Sequence, residues 1–223
     1  RNSYSKYNRT RSGESSILMT LSSDEKELIS KEIENLEKLS SCELVAVVTK
    51  RSDSYKLAAA MVAIFNLFCI SVFFIFFSEK AVFQILQIQF LVFIGSYLLL
   101  NKFKKVFLKI LPKSYKYQIS SENANRQFYN LQLDKTKTKH AIMFFVSFDE
   151  KYVEIITDNV ISKEIPNSHW QLIVDEFIDD IKQNQLFDGY IKAIKACNAI
   201  LIEKFPIKKD DINELSNEVI ELK

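Results

Sequence analysis

The stretch AIMFFVSFDEKYVEIITD, residues 141–158, contains two short apolar runs separated by a polar turn. Continuous runs of this kind predict strands over Ala141–Ser147 and over 153–157, each covered on both faces, with a turn at 148–151. A third run, ELVAVVT at Glu43–Thr49, is rich in valine and has the same character. The sequence therefore predicts a sheet whose strands lie in the interior of the fold.

Helical patterns flank these strands. Ser22 and Glu25 have the spacing of a capping box, and apolar residues then recur on one face to about Leu39. Further amphipathic helices are predicted near 122–133, over 170–181 and over 190–205, with Asp188-Gly189 as the break between the last two. The order α-β-α-β-β-α-α predicts an α/β sandwich.

Two long apolar segments interrupt this pattern after the first strand. Residues 57–77 read LAAAMVAIFNLFCISVFFIFF, and after Ser78-Glu79-Lys80 a second segment extends from Ala81 to Leu100. Each is about 20 residues long, which is the length of a helix that crosses a bilayer. We predict a transmembrane hairpin over 57–101; a buried hairpin of a soluble core is the alternative.

Basic residues predict the orientation of the hairpin. Three precede the first segment and five follow the second, whereas the connection holds only Lys80. The positive-inside rule then places both chain ends on the cytoplasmic or matrix side. Residues 102–113 are interpreted as a basic amphipathic extension at the lipid interface, in which Phe103, Phe107 and Ile110 share one face. The solvated end of the second helix is the alternative.

The segment VSFDEKYVEIITD, residues 146–158, resembles the strand-turn-strand signature of the TPM domain family. This family includes thylakoid lumen 18.3 kDa phosphatase-like proteins, a photosystem repair factor and a receptor-accessory protein, and its membrane-bound bacterial members carry a two-helix insert after the first strand. The resemblance covers about Leu21 to Lys223. It continues through Ile165, Pro166, Trp170, Ile173, Val174, Phe177, Gly189, Ile194, Cys197, Leu201, Phe205 and Pro206.

Two loop positions depart from the family pattern, because Val160 and Gln185 stand where members usually carry glycine. The predicted organisation is a polar basic extension (1–20), a first part of a TPM-like domain (21–56), the transmembrane hairpin (57–101), the basic extension (102–113), the second part of the domain (114–206) and a tail (207–223).

Composition excludes several classes of protein. The three glycines are too widely spaced for the common phosphate-binding and nucleophile loops, and two histidines are too few for a multi-histidine metal site. Three cysteines form no CxxC pair, which argues against a disulfide framework. The net charge of +2 argues against nucleic-acid binding. We predict no catalytic, cofactor or metal site.

The resemblance nevertheless implies an alternative function, that of a membrane-tethered weak acid phosphatase. Asp175 and Asp179 are one helical turn apart, and they could share a divalent cation with Asp158; a solvated helix face is the alternative. The other candidates are three acidic residues, two serines without an evident base, and two histidines expected to be structural: Asp149, Glu150, Asp180, Ser147, Ser168, His140 and His169.

Polar residues within the hairpin favour an interaction module instead. Asn66, Gln84, Gln87 and Gln89 are costly in hydrocarbon unless they are hydrogen-bonded, and an Asn66–Gln89 bond is expected between the two helices. We therefore predict a non-catalytic accessory subunit or assembly and maintenance factor of a larger inner-membrane complex, a respiratory complex being one candidate. Its partners would be subunits of that complex and the lipid bilayer.

The N-terminal segment bears on the compartment. Residues 1–13 contain three arginines and a lysine, several serines and no acidic residue, a composition that resembles the remains of a mitochondrial presequence. A mitochondrial inner membrane with the domain in the matrix is one expectation. A bacterial inner membrane with the domain in the cytoplasm is the other.

Overall fold

A computed structural model describes residues 21–77, 82–183, 185–207 and 213–222. The predicted basic extension 1–20 and the connection 78–81 lie outside this range. The elements follow in the order α1 (Ser23–Glu37), β1 (Glu43–Thr49), α2 (Lys56–Phe77), α3 (Val82–Lys102), α4 (Lys104–Ile110), α5 (Lys113–Asn130), β2 (Ala141–Ser147), β3 (Tyr152–Thr157), α6 (Asn159–Glu164), α7 (Asn167–Lys182), α8 (Leu186–Lys204) and β4 (Ile220–Leu222), with a 3-10 turn at Leu133–Lys135.

The chain forms two compact units. One takes in the residues up to Ser52 together with those from Tyr117 onward, and the other is the segment Asp53–Lys116. The first unit contains all four strands of the sheet, so its two parts are separated along the chain by the apolar helices.

The first unit is built around a four-stranded sheet in the order β3-β2-β1-β4. β1 is parallel to both β2 and β4, whereas β2 and β3 are antiparallel across the turn that joins them. The register pairs Glu43 with Ala141 and Thr49 with Ser147, which brings the carboxyl ends of β1 and β2 together. Every residue of β1 and β2 is buried, as their continuous apolar runs predict.

Helices cover both faces of this sheet. Alternate residues such as Leu44, Ile142 and Phe144 pack with the apolar faces of α1, α7 and α8. The intervening residues, such as Val45 and Phe145, belong to a second cluster with α5. The sheet is thus the middle layer of an α/β sandwich, and the predicted fold class is confirmed.

The capping box of α1 is confirmed. The hydroxyl of Ser22 accepts a hydrogen bond from the Glu25 backbone N–H at 3.2 Å, and the Glu25 carboxylate accepts one from the Ser22 N–H at 2.7 Å. These bonds satisfy two backbone N–H groups that have no partner within the helix. A cap of this kind typically stabilises the folded protein by about 1 kcal/mol. The helix buries Ile29, Ile33 and Leu36 on one side.

The predicted break at Asp188-Gly189 is wrong. The chain leaves α7 at Gln183, and Gly189 lies inside the first turns of α8, buried against α7. A Cβ atom at position 189 would lie 3.0 Å from the Asp180 Cβ and 3.1 Å from Cδ2 of Phe177. Glycine therefore allows the close approach of the two helices at this position, and it does not form a turn.

Three further differences concern element bounds. α5 begins directly after Pro112 and not near Glu122, since a proline suits the start of a helix. Neither α6 nor β4 was predicted, because each has only three to six residues. Phe107 does not share an exposed face with Phe103 and Ile110, because the helix is interrupted at Phe103 and Phe107 is buried.

The second unit contains the two predicted apolar helices. α2 has 22 residues and α3 has 21, and both are long and apolar enough to cross a membrane. Their most apolar windows are 6% and 0% buried within the structure, which is unlike the core helices of a soluble protein. The two helices pack on each other, and the Gln89 side-chain amide donates to the Ser71 hydroxyl at 2.7 Å.

Candidate functional site

Polar residues gather at the carboxyl ends of β1 and β2, where parallel sheets commonly bind ligands. The Phe148 N–H donates to the Thr49 carbonyl, and the Asp149 N–H donates to the Lys50 carbonyl, so the two strand ends continue side by side. The reversal into β3 places Lys151 in the left-handed region, at φ 55°. This end of the sheet holds three of the predicted candidates, namely Ser147, Asp149 and Glu150.

The buried part of this site is a hydrogen-bonded chain of Ser52, Ser147 and Glu150, which we call the serine–glutamate cluster. Ser52 donates to the Ser147 hydroxyl at 2.9 Å, and Ser147 donates to Glu150 Oε2 at 2.5 Å. The Ser52 backbone N–H donates to Glu150 Oε1 at 3.1 Å. All three residues are buried, and Ser147 is 0% exposed. The cluster therefore fixes the strand ends, and the Ser147 hydroxyl is closed to a substrate.

Asp149 lies at the edge of the cluster and pairs with Arg51. The guanidinium donates to Asp149 Oδ2 from Nε at 2.9 Å and from Nη2 at 2.6 Å. The side chains are only 19% and 17% exposed. Arg51 is a cation that could serve a phosphate-binding site at this edge, and the pairing with Asp149 neutralises it.

The predicted acidic candidates on α6 and α7 do not converge. Asp175 accepts a hydrogen bond from Gln171 at 2.8 Å, and Asp179 pairs with Lys182 at 2.6 Å, both on the exposed side of α7. Asp180 is buried and pairs with Lys192 at 2.8 Å. Among the described residues no group of three His, Cys, Asp or Glu side chains is placed to hold a metal. The cation shared by Asp158, Asp175 and Asp179 thus has no geometric support.

Asp158 has a structural role at the start of α6. Its Oδ1 accepts a hydrogen bond from the Asn159 backbone N–H at 2.5 Å, which caps the helix. Its Oδ2 is buried and has no hydrogen-bond partner within the part of the chain that the structure describes. Asp158 is therefore the acidic candidate at which a residual activity is best tested.

The two histidines and Ser168 occupy separate places. His140 Nδ1 lies 3.0 Å from the Ser41 hydroxyl, and its ring centroid lies 4.5 Å from that of Phe205, which gives this histidine a packing role. Ser168 and His169 are exposed in the first turn of α7. Neither of these exposed residues lies in the serine–glutamate cluster.

Comparison with known proteins identifies the domain. Residues 104–200 match the family model of the TPM domain. The chain contains a TPM domain. The matched segment takes in β2, the turn, β3 and most of α8, and thus the strand-turn-strand signature, whereas Leu201, Phe205 and Pro206 lie beyond it.

One solved structure shares the fold of this chain. It is the NMR structure of the BA42 protein from the psychrophilic bacterium Bizionia argentinensis, with a TM-score of 0.56 and 20% sequence identity, covering 92% of this chain and 97% of that one. No curated protein matches the sequence significantly.

The TPM domain contains a buried acid that the sequence analysis missed. Glu154 lies on β3 with its side chain in the layer between the sheet and α5, and it is 0% exposed. The Tyr152 hydroxyl donates to Glu154 Oε2 at 2.8 Å, and the Ser121 hydroxyl donates to Oε1 at 3.4 Å. Burial raises the pKa of Glu154 to about 7. Glu154 lies two residues from both Tyr152 and Ile156, so the three side chains share one face of the strand. This spacing is the sequence signal that could have predicted the burial of Glu154.

A second missed acid lies where the C-terminal tail returns to the TPM domain. Burial, followed by the negative charge of Glu43, raises the pKa of Glu37 to about 8. Asn213 donates to Glu37 Oε2 at 2.7 Å, and the Glu214 backbone N–H donates to Glu43 Oε1 at 3.0 Å. These carboxyl groups hold the tail that supplies β4, and no local sequence signal reveals this role.

The polar residues of α2 and α3 divide into two groups. Gln89 bonds to Ser71 within the pair of helices, so the predicted bond from Gln89 to Asn66 is replaced by a different partner. Gln84 and Gln87, in contrast, are exposed on the surface of α3. The structure thus separates one internal glutamine from two outward ones.

Proposed function

We propose that this protein is a non-catalytic, membrane-anchored TPM-domain protein that acts as an accessory subunit or assembly factor of a larger membrane complex. In this proposal α2 and α3 cross the bilayer and α3 contacts a membrane helix of the partner. The observation that carries the proposal is the exposure of Gln84 and Gln87 on a helix whose surroundings would be hydrocarbon.

Lipid satisfies the apolar surface of the helix pair but not these amides. Large apolar side chains such as Phe65, Phe76 and Leu91 are 63%, 74% and 69% exposed, and acyl chains cover such surface at no cost. A carboxamide in hydrocarbon needs a hydrogen-bond partner, and membrane helices commonly obtain one from a neighbouring helix. The outward glutamines therefore favour a protein partner over lipid alone.

The polar residues of the TPM domain support a non-catalytic role. The nucleophile candidate Ser147 is buried and bonded to Glu150, and the cation Arg51 is paired with Asp149. A phosphoryl-transfer site needs a nucleophile and cationic or amide donors that reach the phosphate oxygens. Here the strand-end candidates bond to one another instead.

The lysine distribution supports an orientation. With α2 and α3 in the membrane, the positive-inside rule puts both chain ends and the TPM domain on the cytoplasmic or matrix side. A mitochondrial inner membrane and a bacterial inner membrane both fit this arrangement.

The proposal is tested by comparing substitutions of the exposed glutamines, Gln84 and Gln87, with a substitution of Gln89, which bonds within the helix pair. The double variant Gln84→Leu/Gln87→Leu should still insert and should lose its partner during purification in mild detergent. Two interhelical hydrogen bonds contribute about 1 to 4 kcal/mol, so the affinity should fall about fivefold to a thousandfold. Gln89→Leu is the matched control, because it removes the bond to Ser71 and leaves the outward face intact.

The outcome is measured as the ratio of partner to protein after affinity purification from native membranes. Retention of the partner by the double variant at the wild-type ratio would refute a docking role for the glutamines. Equal loss in the Gln89→Leu control would show that hairpin stability, and not the outward face, decides the association.

A further inference from the structure

The segment that follows α3 combines unusual charge with an exposed apolar stripe. Residues 102–116 contain six lysines, and no acidic residue occurs until Glu122. We call residues 102–116 the basic segment; α4 forms its centre.

The apolar stripe lies on one side of α4. Phe103, Val106 and Ile110 are 51%, 55% and 72% exposed, and their spacing of three and four residues places them on a common side. Phe107 and Leu108 are buried, each at 4% exposure. The stripe is therefore apolar surface that remains after the packing of α4 is complete.

Four of the six lysines in the basic segment lack an acidic partner among the described residues. Within the described parts of the chain, no ion pair involves Lys102, Lys104, Lys105 or Lys113. In other parts of the protein, Lys31, Lys38 and Lys182 each pair with an acid one turn away. A row of lysines without acidic partners beside an apolar surface is complementary to a partner that carries both negative charge and apolar groups.

The position of α4 relative to α3 sets the depth of this surface. α3 has 21 residues and is about 30 Å long, which matches the hydrocarbon thickness of a bilayer. The chain turns at Phe103, with φ −100° and ψ 48°, and α4 starts at the next residue. If α3 spans the membrane, as proposed above, α4 begins where hydrocarbon gives way to head groups.

We propose that the basic segment binds the phosphate groups of anionic phospholipids, with the stripe of Phe103, Val106 and Ile110 inserted at the boundary of the acyl chains. Lysines at this depth attract anionic head groups, and their long apolar stems let the charge reach the phosphates. The inference rests on the proposed membrane insertion, and it adds a preference for lipid charge that an apolar hairpin alone does not have.

The test uses the full chain reconstituted in vesicles of phosphatidylcholine alone or of an equal mixture with phosphatidylglycerol. A fluorescent label on Cys69, the one exposed cysteine of the described residues, reports insertion of α2. In a Cys69→Ser/Val106→Cys variant the label reports docking of α4. Lipids that carry a quencher on the acyl chain quench a label that lies in the membrane. The extent of quenching therefore measures the insertion of α2 with one label and the docking of α4 with the other.

The Cys69 label should be quenched in both kinds of vesicle. The label at position 106 should be quenched strongly only in the mixture, and added salt should weaken this effect. Replacing Lys102, Lys104, Lys105 and Lys113 with glutamine should weaken docking by about fivefold per lysine removed. The matched control changes the same number of exposed lysines on the TPM domain and should leave docking unchanged: Lys38, Lys151, Lys163 and Lys195.

Equal quenching at position 106 in neutral and anionic vesicles would overturn the inference while leaving membrane insertion intact. Weak quenching at position 106 in both, with Cys69 quenched, would also overturn it and would indicate that protein covers α4. Weak quenching of Cys69 in both vesicles would overturn the proposed insertion and this inference together.

Discussion

Replacing Glu154 with glutamine should remove a specific pH dependence of stability from the TPM domain. Glu154 is 0% exposed, and its hydrogen bonds come from the hydroxyl groups of Tyr152 and Ser121. Burial raises its pKa from 4.5 to about 7, so the folded state favours the protonated carboxyl group more than the unfolded chain does. Glutamine has nearly the same shape and no charge at any pH.

The magnitude follows from the difference between the two pKa values. Each tenfold change in proton affinity corresponds to about 1.4 kcal/mol, so ionising Glu154 costs the folded state about 3 kcal/mol relative to the unfolded chain. Below a pH of about 4.5 the carboxyl group is protonated in both states, and this cost is absent. Stability is then lost as the pH rises through the interval from 4.5 to about 7.

The assay is denaturant unfolding of the full chain in detergent, followed by the fluorescence of Trp170, which is fully buried. The free energy of unfolding of the wild type minus that of Glu154→Gln should fall by about 3 kcal/mol between a pH of about 4 and one of about 8. Taking this difference cancels the titration of other groups. Glu164→Gln makes the same substitution at an exposed position and is the control for the substitution itself. A flat profile for Glu154→Gln would refute the reasoning.

Three further outcomes are expected. Gly189→Ala should lower the free energy of unfolding by about 1 to 2 kcal/mol, because overpacking against α7 outweighs the gain in helix propensity; a stabilised variant would contradict the close approach. Impermeant cysteine reagents should label cysteines placed at residues 115 and 79 from opposite sides of the membrane, and labelling from one side would contradict the proposed topology. The purified protein should hydrolyse phosphomonoesters at well below about 1 s⁻¹; faster hydrolysis that is lost in Asp158→Asn would establish the phosphatase alternative.

Local patterns were sufficient to predict most of the fold. Strands β1 and β2 have continuous apolar runs because helices cover both of their faces, and the capping box of α1 depends on residues only three positions apart. The lengths of α2 and α3 were likewise evident from composition. Each of these features is decided by neighbouring residues, which a single sequence displays directly.

Features that depend on distant parts of the chain could not be predicted in this way. β4 has three residues and exists because the tail returns to pair with β1. Gly189 has the appearance of a helix break, and its meaning emerges only when α7 is seen beside α8. The hydrogen bonds of the candidate site could not be predicted for the same reason. The bonds from Ser52 to Ser147 and from Arg51 to Asp149 each join residues more than 90 positions apart in the sequence.

The central claim, that the outer face of α3 contacts another membrane protein, is tested most directly by photo-crosslinking in native membranes. A photoreactive amino acid at position 87 lies on the exposed face, and one at position 89 lies beside Ser71 of the same chain. We expect position 87 to form an adduct with a separate polypeptide and position 89 to react within the protein itself. Adducts of position 87 with lipid alone would contradict the account.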